Sequence, residues 1–233
     1  LNQNKIVKID SIGIGTHVFK YPSISVRVKG FTSIGYTSLT NNTGSYNVAV
    51  GFQAGYNNTG GTSITAIGYN ALYGNTTGYQ NTAVGYSSQS GNTTGVLNTS
   101  MGFYSMFSNT TGNQNVAIGP YALWQANSNN NIAIGFRALK ENTEGVSNSA
   151  VGGSSLFSNT TGSYNSAFGY VALGSNTTGS FNVAVGKEAL GLNDSGSYNN
   201  AIGSGALYAN VSGSANNAFG NDTLGLNTTG YNN

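Results

Sequence analysis

The sequence predicts an all-β chain, a parallel β-roll or β-solenoid of about twelve 17-residue rungs. Three observations predict it. The first is a period. A glycine closing the phrase Asn-x-Ala-(Val/Ile)-Gly recurs at Gly35, Gly51, Gly68, Gly85, Gly102, Gly119, Gly135, Gly152, Gly169, Gly186, Gly203 and Gly220, twelve copies spaced by 17 residues except for two gaps of 16. A fixed period repeated this often belongs to stacked units that share one continuous core. The second is composition. Only 6% of the 233 residues are charged and 35 are Gly, yet 15 Tyr and 10 Phe against 2 Pro set the chain apart from disordered sequences. The third is the poor fit to helix, since the Gly and β-branched content opposes it and no helical periodicity survives the repeat.

Residues 1–30 precede the repeat. Ile6-Val7-Lys8-Ile9 and Ile24-Ser25-Val26-Arg27-Val28 alternate like short strands, with Gly13, Gly15 and Tyr21-Pro22 as turn punctuation between them. The segment reads as a small β-structured collar or joint. His17 is the only histidine in the chain and has no companion ligands, so it reads as an ordinary residue rather than a metal ligand.

Residues 31–233 carry the repeat, and each position in it has a physical reading. The residue before the marker glycine is always apolar, and Val50, Ile67, Val84, Ile118, Ile134, Val151, Val185 and Ile202 are taken as core. The residue before that is Ala or Ser in all twelve copies, as a close approach requires. Four residues past the marker stands Leu in nine copies, Leu72, Leu123, Leu139, Leu173, Leu190 and Leu207 among them, and these complete the predicted core. Met106 fills a tenth copy, while Gly55 and Gln89 break the column.

The polar positions are as regular. Asn stands four before the marker in ten copies, and six copies carry an unbroken Asn-Thr-Thr-Gly. Asn and Gly there read as the positive-φ positions of a tight turn, and stacked Asn side chains as amide ladders that satisfy buried polar groups. Each unit is thus expected to run strand, turn, short strand, turn. Rungs about 4.8 Å apart make a rod of roughly 55–60 Å. So narrow a coil buries little alone, and with no Cys to staple it, association is the available route. Three coils packing their Ala, Val and Leu faces about one axis, a homotrimer, is the expected assembly.

Asn-x-Ala-(Val/Ile)-Gly-x-x-Ala resembles the head repeat of trimeric autotransporter adhesins, a β-roll in which three chains interlock. The likeness covers about half of each unit, and this period is longer than the near-fourteen residues of those heads. The added Asn-Thr-Thr-Gly, as in residues 81–95, is similar to the repeats of phage tail fibres. The segment Gly15–Pro22 resembles pieces of large phage structural proteins. The resemblance implies a homotrimeric attachment fibre located in a virion or on a cell surface, with other virion or fibre components and a cell-surface glycan as partners. The head of a bacterial trimeric surface adhesin is the alternative. The chain stops at Asn233 inside a thirteenth copy and is read as a fragment of a longer polypeptide.

Other functions fit less well. The six acids are scattered and only one imidazole exists, so no catalytic residues, cofactor or metal are assigned. The Gly phrases lack the Lys-Ser/Thr ending of a phosphate loop. Lys5, Lys8, Lys20, Arg27 and Lys29 outnumber Asp10 in the collar. Over the rest, Glu141, Glu144, Glu188, Asp194 and Asp222 outnumber Arg137, Lys140 and Lys187, so no basic face for nucleic acid is expected. No apolar run is long enough for membrane insertion as a helix. Ice binding, a minor alternative, lacks the Thr-x-Thr array expected of such proteins. One feature stands out as a candidate glycan or receptor contact, the aromatic residue directly after the marker: Tyr36, Phe52, Tyr69, Tyr86, Phe103, Phe136 and Tyr170. Packing against neighbouring rungs or subunits is the plainer role for such a strip.

Overall fold

The computed structural model describes residues 30–233. The collar read over 1–30, His17 included, lies outside the described residues apart from Gly30. The rest is one β-solenoid. Its strands are β1 Phe31–Ile34, β2 Asn47–Val50, β3 Thr65–Ile67, β4 Thr82–Val84, β5 Thr99–Met101, β6 Val116–Ile118, β7 Ile132–Ile134, β8 Ser149–Val151, β9 Ser166–Phe168, β10 Val183–Val185, β11 Asn200–Ile202 and β12 Asn217–Phe219. They form a single parallel sheet in chain order, so each turn of chain climbs by one strand. Pairing is in register: Ala49 faces Ala66, Ala66 faces Ala83, and Ala83 faces Ser100.

That register corrects half of the predicted core. In a strand, successive side chains point to opposite faces. The Ala column points inward and is fully buried from Ala49 to Ala201. The apolar residue that follows it must therefore point out. Ile67 is 39% exposed and Ile118, Val185 and Ile202 are 36% exposed, while Val50, Val84, Ile134 and Val151 are half-buried. None of these eight lines the interior. Leu72, Leu123, Leu139, Leu173, Leu190 and Leu207 are all fully buried. They lie in an irregular arm of the turn, not in the short second strand that the sequence predicts.

The backbone there explains why. The second and fourth residues past each marker have positive φ, as at Ser154 (+54°) and Leu156 (+49°), and so does the twelfth, as at Tyr164 (+58°), or the eleventh in the two shorter turns, Tyr46 and Asn130. Left-handed residues at alternate positions curl the chain and cannot extend as a strand. Positive φ therefore falls on Leu, Ser and Tyr, while Asn75, Thr76, Thr77 and Gly78 of the Asn-Thr-Thr-Gly phrase are free of it. Gly78 is required for room instead. A Cβ there would lie 2.5 Å from Asn75 Oδ1 and 2.8 Å from Asn92 Nδ2. The marker glycines need both freedoms. Their φ runs from +126° to +144°, and a Cβ on Gly152 would stand 2.6 Å from the Gly169 carbonyl carbon one rung on.

Between rungs the backbone amides bond in both directions. Leu72 N donates to Ser88 O on the following rung (3.1 Å), whereas Gly85 N donates to Ile67 O on the preceding one (2.8 Å). Two asparagine ladders close the interior beside the Ala and Leu columns. In one, Asn98 N donates to Asn81 Oδ1 (3.0 Å) and Asn81 Nδ2 to Gly95 O (2.7 Å). In the other, Asn176 Nδ2 donates to Asn159 Oδ1 and to Gly179 O (2.8 and 2.9 Å). A single chain thus closes its own core. The Ala and Leu columns assigned above to a trimer interface are sealed inside one coil and are not available to a partner.

Candidate functional site

Irregularities in the stack mark where the surface departs from plain repetition. At Gly55 the missing Leu is compensated by Ile64, fully buried in place of a ladder Asn, whose Cδ1 would lie 3.6 Å from a Cβ on Gly55. At Gln89 the interior turns polar. Ser88 Oγ lies 2.6 Å from Ser100 Oγ and 2.9 Å from Ser105 Oγ, and Gln89 Nε2 donates to Asn81 Oδ1 (3.4 Å). This plug divides the apolar interior into two runs, one ending at Ala83 and the other starting at Met106.

The shortened turn between Gly119 and Gly135 is the larger disturbance. It replaces Asn-Thr-Thr-Gly with Ala126-Asn127-Ser128. Asn127 Oδ1 accepts from Thr110 N and Thr111 N (3.2 and 2.8 Å), in place of the backbone carbonyl of the equivalent residue that accepts on rungs such as that of Thr93. Ser128 Oγ accepts from Asn142 Nδ2 (2.9 Å), and the buried Asn109 Oδ1 is left without a partner beside Ala126. The lost residue leaves an open cleft of about 560 Å³ between Asn127, Ser128, Thr143 and Glu144.

The same stretch gathers the unusual side chains. It holds Trp124, the only tryptophan, and Arg137, Lys140, Glu141 and Glu144, half of the charged residues that follow residue 30. Lys140 pairs with Glu141 and sets its ammonium between two rings, 5.1 Å from Trp124 and 5.4 Å from Phe157. The Arg137 guanidinium lies 4.8 Å over the Phe136 ring. Two ion pairs occur among the described residues, Lys140–Glu141 and Lys187–Glu188, and neither engages Arg137.

The predicted aromatic strip is continuous over its first five members. Tyr36, Phe52, Tyr69, Tyr86 and Phe103 stack rung upon rung with centroids 4.8–5.5 Å apart. Pro120 then interrupts it, and Tyr121 bridges edge-on from Phe103 to Phe136 (5.5 and 6.4 Å). Tyr170 stands apart, since Gly153 offers no ring between it and Phe136. The rings pack on one another and still remain exposed, so stacking and an open surface coexist. Burial-type desolvation, with Tyr104 and Tyr69 nearby, raises the Tyr86 phenol above its ordinary pKa.

Reading one column at a time missed the neighbouring rings. Tyr104, Phe107 and Trp124 join the strip on its flank, with Phe107 and Trp124 stacked at 6.3 Å. A separate ladder of Tyr164, Phe181 and Tyr198 runs elsewhere around the turn at 4.9 and 5.1 Å. Comparing adjacent columns across rungs carries that signal. The threonine pair divides its labour: Thr76, Thr93 and Thr160 turn their hydroxyls onto the next rung's carbonyls (3.0 Å each), leaving only their neighbours free for water. Among the described residues no three His, Cys, Asp or Glu side chains are grouped to hold a metal, and no helix is long and apolar enough to cross a membrane. No family model, curated protein or solved structure matches the chain.

Proposed function

We propose that this chain is a non-enzymatic rod segment, the shaft or head of a homotrimeric attachment fibre of the phage tail-fibre kind, which carries host-surface recognition. The observation that supports it is the outward apolar column. Ile34, Met101, Ile118, Phe168 and Phe219 belong to a row of twelve apolar residues, one per strand, along an exposed sheet face. Monomeric proteins rarely leave so long an apolar stripe open, and a stripe running the length of a rod suits side-by-side association. A cyclic parallel arrangement keeps all three chains entering at one end, as a fibre requires. The resemblance to trimeric fibres sets the number. A bacterial surface adhesin head would use the same face in the same way.

Light scattering of the 233-residue chain over a range of concentrations tests the reading. A mass about three times 23.9 kDa is expected. Ile118→Lys combined with Ile134→Lys places charges on the outward face without touching the core. This variant should keep the β circular dichroism and fall to the monomer mass. A wild-type chain that stays monomeric at every concentration overturns the assembly.

A further inference from the structure

Five residues past the marker stand Phe107, Trp124, Lys140 and Phe157 on successive rungs, followed by Gly174. Beside Phe157 lies a shallow hollow of about 290 Å³, lined by Arg137, Ser154, Phe157, Ser158, Val171 and Ser175. A Cβ on Gly174 would stand 2.5 Å from Val171 Cγ1, so glycine there makes room for the Val171 side chain. We propose that this hollow binds a single carboxylate-bearing pyranose, a uronic or sialic acid residue of a surface polysaccharide. The proposal deepens the attachment reading, on which it rests for its biological role, by naming the class of ligand.

Each wall contributes a distinct chemistry. Phe157 offers an apolar ring, the usual partner for the C–H face of a sugar. Arg137 supplies a planar fork of donors matched to a carboxylate, held ready by its stacking on Phe136 and engaged by no acid among the described residues. The hydroxyls of Ser154, Ser158 and Ser175 make no side-chain hydrogen bond within the described chain, so each can donate to or accept from sugar hydroxyls. A hollow of this size admits one ring, and few, placed polar groups around an apolar wall are the common make-up of small-ligand sites.

The repeat itself aligns one wall. Arg137, Ser154 and Val171 occupy the same position on three successive rungs, with φ of +57°, +54° and +56°. Val171 adopts it although a β-branched side chain crowds the left-handed conformation, as Thr37 does at the same position of the first rung. The same conformation recurs at this position on every described rung, so the coil imposes it. Their shared position sets the three residues one above another along the hollow.

Trp124 provides a built-in reporter, since the Lys140 ammonium lies between its ring and Phe157. The test titrates the intact chain with methyl glucuronide, methyl glucoside and sodium sulfate, read by Trp124 emission and calorimetry. Saturable binding of the glucuronide is expected, with the glucoside and sulfate each at least tenfold weaker. Arg137→Gln should weaken the glucuronide at least tenfold and leave the glucoside unchanged, and Phe157→Ala should weaken both. Circular dichroism confirms that these surface variants remain folded. No saturable binding, equal binding of the glucoside, equal binding of sulfate, or indifference to Arg137→Gln each overturns the proposal. A monomer that binds the glucuronide removes the fibre assembly and leaves this site standing; a trimer that does not bind removes the site alone.

Discussion

Replacing Asn176 by Ala tests the claim that an asparagine ladder, rather than apolar burial alone, holds the rungs in place. Asn176 is fully buried and makes three hydrogen bonds: Nδ2 donates to Asn159 Oδ1 (2.8 Å) and Gly179 O (2.9 Å), and Oδ1 accepts from Asn193 Nδ2 (2.8 Å). Gly179 O keeps a second donor, Asn165 Nδ2 at 2.9 Å, so the substitution strands two groups, Asn159 Oδ1 and one N–H of Asn193. A buried group left unpaired costs about 1–3 kcal/mol, which puts the loss at about 2–6 kcal/mol. The chain contains its own comparison. Ala126 already interrupts this ladder and strands Asn109 Oδ1, but Ser128 Oγ takes the next Asn142 Nδ2, so only one group is orphaned. On the Asn176 rung the place of Ser128 is taken by Thr178, which is exposed. Denaturant unfolding measures the total, and native-state hydrogen exchange of the rungs on either side locates it, since a stack can open in parts. Thr178→Ala, on the exposed side of the same turn, serves as the neutral control. A loss for Asn176→Ala below about 1 kcal/mol would refute the ladder as a source of stability.

Two further predictions bear on the turn and on the aromatic strip. Gly152→Ala meets both a φ of +132° and the backbone of Gly169, and should cost about 3–5 kcal/mol. Gly220→Ala keeps the φ (+126°) but meets only Thr223 Oγ1, at 2.9 Å, so roughly half that loss is expected; equal shifts in unfolding midpoint would sink the rung-contact argument. At Tyr86 the folded phenol pKa lies above its ordinary 10.0. A raised folded value means that the phenol's contribution is whole below the unfolded pKa and fades as pH climbs through the folded one. Tyrosinate absorbance should therefore show a late-ionising phenol that Tyr86→Phe removes, and superimposable titration curves would contradict it.

By itself the sequence determined the stack. Its period fixed the number of rungs and its Ala column fixed the parallel register, because a close approach repeated twelve times admits one pairing. The buried Asn and Leu columns were legible for the same reason: what recurs in every copy must serve contact between copies. The alternation of a strand also places the residue after an inward Ala on the outside, whereas apolar character alone argues for burial there and would turn Val84 and Ile118 inward. Only the tertiary structure decided that a single coil closes its own interior. The closure depends on left-handed backbone at residues such as Leu156 and Tyr164, where local preference opposes the conformation and neighbouring rungs impose it. The hollow beside Arg137 is of the same kind. Arg137, Ser154 and Val171, which line it, stand 17 residues apart in the sequence and become neighbours once the chain is coiled.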